Sequence, residues 1–332
     1  MTVPGTVALR LTVAAPVLNE VEIVPELIRR LDAVLDRLPG GPHEIVIVDD
    51  GSTDGTRELL LGRVRSRHRL AIIALSRNFG HQAALSAALD HATGDAVVLM
   101  DGDLQDAPEE IPSFVMRFQE GYDVVYAERS SRKEGWVQRA AYAVAYRLIA
   151  RFSSVRLPLD AGDFGLMSRR VVDQIRDAPE RQRYLRGLRA WVGFRQIGMP
   201  VHRAERAAGR SKYSWARLFG LAFDGLFSFS VAPLRAAAVL GFLAIFLAGL
   251  YAAYSVVAKL FLDRTPQGFT ALIVVMTFLS GMNLLFLGLV GEYLGRVYEE
   301  VKRRPLYVAD QIVRRSGEAP SSAGEFRVER VG

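Results

Sequence analysis

Short apolar runs alternate with longer amphipathic segments over the first 130 or so residues. Residues 11–17, 44–48, 70–75, 96–100 and 123–127 are apolar enough to be strands buried on both faces of a sheet. Between them, residues 21–38, a segment capped by Asp54 and reaching about His68, residues 82–91 and residues 108–119 read as helices. Pro108, Glu109 and Glu110 suit the first turn of the last of these. Such alternation predicts an α/β fold, a mostly parallel, doubly wound sheet with helices on both faces.

Beyond that region the pattern changes. Over residues 136–152, Arg139, Arg147 and Arg151 fall on one helical arc and Tyr142, Tyr146, Ile149 and Phe152 on another. Such a helix either covers the sheet or lies in a membrane interface. Residues 218–229, rich in Phe and Leu, suit the same interface. Residues 236–258 and 265–291 then run for 23 and 27 positions without a charge. A bilayer span needs roughly 20 apolar residues, so two transmembrane helices are expected. Arg203, Arg206, Arg210, Lys212, Arg217 and Arg235 precede them, and Arg296, Lys302, Arg303 and Arg304 follow. The loop between offers only Lys259 and Arg264 against Asp263, so both termini are expected on the cytoplasmic side.

The predicted organisation is a cytoplasmic α/β domain over 1–213 that includes the helix near 136–152, a juxtamembrane interfacial helix over 214–230 and two spans within 231–291. A cytoplasmic segment over 292–332 follows, disordered from about Gly317. The 332 residues suffice for one core and an appendage. Cysteine is absent, which excludes disulfides and thiolate metal sites. The net charge of +6 is concentrated in the second half, where basic residues favour anionic lipid headgroups. Nucleic acid is not an expected partner. Residues 1–11 lack a basic start followed by an apolar core, so no signal peptide is expected.

The candidate chemistry lies at strand ends. The fourth strand runs into Asp101-Gly102-Asp103-Leu104-Gln105-Asp106. Asp101 and Asp103 offer hard oxygen ligands suited to Mg2+ or Mn2+ bridging a diphosphate, and Gly102 would let a bulky ligand approach. Asn19-Glu20 and Asp49-Asp50 end the first two strands. Parallel strands bring all three clusters to one edge, where open α/β sheets bind ligands. Carboxylates there can accept hydrogen bonds from ribose and base. No G-x-G-x-x-G or G-x-x-x-x-G-K-[ST] is present.

Pro16-Val17-Leu18-Asn19-Glu20, Asp49-Asp50-Gly51-Ser52-Thr53-Asp54-Gly55-Thr56 and Asp101-Gly102-Asp103-Leu104-Gln105 resemble the nucleotide-sugar motifs of family 2 glycosyltransferases of the GT-A fold. Ser76-Arg77-Asn78-Phe79-Gly80-His81-Gln82, Ala161-Gly162-Asp163-Phe164-Gly165-Leu166-Met167 and Gly209-Arg210-Ser211-Lys212-Tyr213 are similar to the polyprenyl-phosphate subgroup. That subgroup contains dolichol-phosphate mannose synthase and the bactoprenol glucosyltransferases. The resemblance runs from about Leu11 to Val313. It implies a metal-dependent hexosyltransferase that moves one sugar, with UDP-glucose the favoured donor, onto a polyprenyl phosphate with inversion. The enzyme would sit in a bacterial inner membrane.

By the same resemblance Pro16, Glu20, Asp49 and Asp50 would hold base and ribose, and Asp101, Asp103 and Gln105 the metal. Lys212, with Arg206 or Arg210, would neutralise the leaving diphosphate. Arg129, with Arg139 a second candidate, would receive the lipid phosphate, whose geometry suits a guanidinium. Asp163 or Asp160 would stand beside the reacting centre with Asp103, while His81 reads as an acid–base group or a structural helix start. Alternatives are a hydroxyl acceptor, which would demand a true base, and a non-catalytic scaffold with a degenerate sugar-nucleotide domain. Self-association through the spans is left open. The Q-x-x-R-W motif of processive synthases has only a superficial echo in Arg181-Gln182-Arg183-Tyr184, with Trp191 wrongly spaced.

Overall fold

A computed structural model describes residues 9–62, 64–129, 161–181, 183–201, 232–262, 268–315 and 326–330. They fall into two compact units, one holding a sheet and the other two long helices.

The sheet has nine strands: β1 Leu11–Val17, β2 Glu44–Asp49, β3 Arg69–Leu75, β4 Ala96–Leu99, β5 Val124–Arg129, β6 Ala161–Ser168, β7 Gln196–Val201, β8 Ala309–Arg315 and β9 Phe326–Arg330. Their spatial order is β7-β5-β6-β4-β1-β2-β3-β8-β9. The central β4, β1, β2 and β3 are parallel neighbours, and only β6 and β8 run against the rest. The sheet is thus mixed but mostly parallel, of the GT-A type. Val17 pairs in register with Asp49, and Ala14 with Leu99, so β1, β2 and β4 deliver their following residues to one edge.

Helices α1 Val24–Leu35, α2 Thr56–Gly62, α3 His81–His91, α4 Ile111–Gln119, α5 Arg169–Asp177 and α6 Leu185–Trp191 surround the sheet. A 3-10 turn at Pro108–Glu110 leads into α4. On one face Leu27, Leu31 and Leu35 of α1 and Phe114 of α4 pack with Val13, Ile45 and Phe164. On the other, Leu85 and Ala88 of α3 and Val171 and Ile175 of α5 pack with Val46, Ile73 and Val97. Strands covered on both faces need apolar residues at every position, which explains the continuous runs. Each buried Leu or Phe contributes about 1.5–3 kcal/mol.

Four strands escape the hydrophobic pattern. β6, AGDFGLMS, is interrupted by two glycines and an aspartate, yet lies between β4 and β5 and pairs antiparallel with both. β7, QIGMPV, carries Gly and Pro at an edge, where strands tolerate them. β8 returns after the second long helix and pairs antiparallel with β3, burying Ile312 and Val313. β9 pairs with β8, which corrects the expectation that everything beyond Gly317 is disordered. Strand pairing satisfies the backbone there, so the polar composition does not prevent order.

The second unit contains α7 Ala232–Leu262 and α8 Phe269–Val301, of 31 and 33 residues. Both are long and apolar enough to cross a membrane, within Ala237–Tyr254 and Val275–Val301. Phe242, Ile245, Leu284 and Leu285 are exposed, a surface that suits hydrocarbon rather than water. α8 begins later than the uncharged stretch and continues past Gly291, where Arg296 bonds Glu292 one turn back at 2.9 Å and supports the helix. The expected interfacial helices over 136–152 and 214–230 lie outside the described residues.

Candidate active site

Two loops at the carboxyl ends of β1 and β2 are zipped together. The Asn19 N–H donates to Ser52 Oγ at 2.9 Å and the Thr53 N–H to Asn19 Oδ1 at 2.8 Å. The Glu20 N–H donates to Thr56 Oγ1 at 2.9 Å, and the Val21 N–H to Asp54 Oδ2 at 3.2 Å. Serine, threonine and aspartate bond loop backbone readily, which explains why this motif is rich in them. Pro16 is buried within β1, and Glu20 is half-buried on the rim.

Asp49 and Asp50 lie deeper than a simple ligand-binding pair. Asp49 is fully enclosed; its Oδ1 accepts the Ser52 N–H at 3.2 Å, and Arg57 Nε stands 3.4 Å from Oδ2. Both Asp50 oxygens are engaged by the next loop, accepting the Phe79 and Gly80 N–H groups at 2.8 and 3.1 Å. Burial pushes the Asp50 carboxyl above its usual range, and the two amides pull it back. Gly51, with φ of +75°, admits this arrangement, since a Cβ there would meet the Asn78 nitrogen at 2.5 Å.

Asp101 and Asp103 follow β4 on a tight turn rather than continuing the strand. Asp103 Oδ1 accepts the Gln105 N–H at 3.0 Å, and Leu104 takes a positive φ of 57°. Gly102 serves close packing against β1, not ligand approach, because the end of β1 fills the space a side chain would need.

A cleft opens beside this turn, lined by Asp101, Asp106, Glu128, Gly162, Asp163 and Arg186 among others. Asp163 is buried, and Arg186 holds it with a two-pronged contact, Nε to Oδ1 at 2.8 Å and Nη2 to Oδ2 at 2.7 Å. Nε2 of His81, the first residue of α3, stands 3.5 Å from Asp101 Oδ1 and 3.7 Å from Asp163 Oδ2. Burial alone would raise the Asp163 carboxyl, but Arg186 and His81 overcome it and hold the group well below the usual carboxylate range. The Asp163 carboxylate raises the His81 imidazole above its ordinary value, against burial, with Asp101 adding to the effect. Arg189, one turn beyond Arg186, is buried; burial pushes it down to about 10. Its Nη1 donates to the Gly162 carbonyl at 3.2 Å, and its guanidinium lies 4.8 Å from the Tyr126 ring centroid.

The cleft therefore unites Asp101 and Asp163 and adds His81, which the sequence left between two roles. Arg186, Arg189 and Glu128 were not anticipated; the signal was the Arg186–Arg189 spacing of three, which places both on one helical face. Arg129 closes β5 opposite Val201. Arg139, Asp160, Arg206, Arg210 and Lys212 lie outside the described residues.

Asp101 and Asp103 carry the hard oxygens that a divalent metal prefers, but among the described residues no three His, Cys, Asp or Glu side chains come together as a metal site. A Mg2+ or Mn2+ ion held by two carboxylates keeps positions for phosphate oxygens and water.

Residues 12–176 match the model of glycosyl transferase family 2. An uncharacterized glycosyltransferase of Synechocystis sp. is 42% identical over 92% of this chain and 96% of its own length. The chain belongs to glycosyl transferase family 2. Within it, the bactoprenol glucosyl transferase of Shigella phage SfII is 37% identical over 90% of this chain and 97% of its own, so the likeness extends well beyond the family domain. Among solved structures, the Mycobacterium tuberculosis glucosyl-3-phosphoglycerate synthase with Mn2+, UDP-glucose and phosphoglyceric acid is 20% identical. It covers 68% of this chain and 83% of its own, with a TM-score of 0.45. As a family 2 member the chain is a glycosyltransferase, and its bactoprenol-glucosyltransferase-like relatives match the subgroup resemblance drawn from its motifs.

Proposed function

We propose that this glycosyltransferase moves a single sugar from a nucleotide-diphosphate donor, UDP-glucose being the favoured case, to a polyprenyl phosphate, with inversion at the anomeric carbon. The observation that carries the reading is the likeness to bactoprenol glucosyl transferases across nine-tenths of the chain, spanning the acidic cleft and both apolar helices.

An oxygen of the lipid phosphate forms the new bond to the anomeric carbon as the bond to the nucleoside diphosphate breaks. A phosphate monoester is already anionic near neutral pH, so no side chain needs to take its proton. Asp163 suits this chemistry as a fixed negative charge beside the reacting carbon, because Arg186 occupies both its oxygens. A metal held by Asp101 and Asp103, with Gln105 nearby, would supply positive charge against the departing diphosphate. Arg129 would receive the lipid phosphate, while Lys212 with Arg206 or Arg210 would add charge at the diphosphate. Glu20, Asp49 and Pro16 would shape the nucleoside pocket, with Asp50 acting through the loop it holds.

α7 and α8 would anchor the enzyme in the inner membrane with the catalytic domain and both termini cytoplasmic, because the acceptor's tail cannot leave the bilayer. The test is incubation of membranes carrying the protein with a panel of labelled nucleotide sugars and polyprenyl phosphate. A labelled polyprenyl-phosphate monosaccharide is the expected product; no lipid-linked label with any donor would reject the reading.

A further inference from the structure

The two arginines of α6 grip one short piece of β6 in different ways. Arg186 takes the Asp163 side chain with two parallel hydrogen bonds, and Arg189 takes the main-chain carbonyl of Gly162, the preceding residue. They sit three positions apart, so a single helical face clamps both the carboxylate and the backbone that carries it. The start of α6 is itself fixed, since the Leu185 N–H donates to Gln82 Oε1 at 3.0 Å. Gln82 follows His81 on α3, and His81 Nε2 stands 3.7 Å from Asp163 Oδ2, the oxygen that Arg186 Nη2 also engages. Two helices tied to each other thus both reach one carboxylate.

Asp163 is almost wholly buried, while about a third of Arg186 is exposed and lines the cleft. A carboxylate in such a place would swing or take up a proton without a fixed partner. Only the forked, planar guanidinium can set both its charge and its plane.

We propose that Arg186 is a positioning residue for the transfer reaction: it acts through Asp163, fixing that carboxylate on the cleft wall, while Arg189 fixes the strand beneath it. This rests on the reaction proposed above. Arg186 spends its Nε and Nη2 donors on Asp163 and is not assigned to the lipid phosphate. Its removal should therefore appear in the chemical step rather than in substrate binding.

The test uses the full-length protein in proteoliposomes, with kcat and both KM values measured for R186Q, R186K, D163N and the R186Q/D163N double variant. R186Q should lower kcat about 100-fold, the scale of losing one organised electrostatic contact, with both KM values within about twofold. R186K should recover about tenfold of that loss, since an ammonium restores charge but not the fork. The double variant should be no slower than D163N, because residues acting as a unit are not additive. Should R186Q not fold, R186K decides by the same split between kcat and KM. The proposal is overturned if R186Q stays within about threefold of wild-type kcat, if only the polyprenyl-phosphate KM rises, or if the two losses multiply. Full turnover in D163N would instead remove the carboxylate's own role. A wild-type protein that makes no glycolipid would remove the reaction that Arg186 serves.

Discussion

Gly102 and Pro16 are in such close approach that a Cβ on Gly102 would stand 2.6 Å from the Pro16 carbonyl oxygen and 2.5 Å from Val17 Cγ1. The turn carrying Asp101 and Asp103 is seated directly on the end of β1, so these carboxylates and the Asn19–Glu20 rim share one edge. Gly102→Ala forces that seat apart, and overpacking of this kind costs about 1–3 kcal/mol. We expect at least a tenfold loss of turnover, since small displacements of reacting groups are expensive. Steady-state kinetics beside a melting curve separate this from simple unfolding.

Asp101→Asn keeps the shape of the turn and removes one charged oxygen donor. Turnover should fall by at least about 100-fold, the scale of losing an organised electrostatic contact, while insertion into membranes stays unchanged. Isothermal titration with Mn2+ should show weakened binding in the same variant. Near-normal turnover would refute the assignment of Asp101 to the metal.

Much of this site is legible in the sequence because the central strands are. β1, β2 and β4 are buried on both faces, their apolar runs mark their ends, and the acidic residues after them must share an edge. The cleft's far wall is not legible in that way. β6 bears Asp163 but has two glycines and pairs with strands distant in sequence, so no local period reveals it. Arg186 and Arg189 carry no local signal that ties them to β6; tertiary packing alone brings them there. Asp49 and Asp50 show the opposite limit. Their motif was plain, but not that the carboxylate of Asp50 serves the loop at Phe79 and Gly80.

That loop gives a stability prediction. Asp50→Ala leaves the amides of Phe79 and Gly80 without their acceptor, and an unsatisfied buried donor costs about 1–3 kcal/mol. The melting temperature should drop by several degrees and the donor KM should rise, whereas Asp50→Asn, which keeps one acceptor oxygen, should lie between the two. Differential scanning fluorimetry with and without nucleoside diphosphate reads both effects.

The held carboxylate fixes a pH dependence. Asp163 is depressed below the ordinary aspartate value, so its stabilising share is fully present above that value, near 3.9 in unstructured chains. It is lost only as pH falls through the lower folded-state value. Between about pH 6 and 8, Asp163 stays ionised, so a limb in kcat there comes from the lipid phosphate, whose second ionisation lies near 6, or from His81, whose imidazole is raised above its ordinary value. D163N should lower the profile and leave the phosphate limb in place, while a His81 limb moves to lower pH because Asp163 is what raises that imidazole. A limb that disappears in D163N would point to a carboxylate that takes a proton, and so to a hydroxyl acceptor.

The most direct test of the account is release of nucleoside diphosphate by the purified enzyme given polyprenyl phosphate or the matching polyprenol. Release that depends on the phosphate, with equimolar formation of a polyprenyl-phosphate sugar, is the predicted result. Equal release with the alcohol would contradict it.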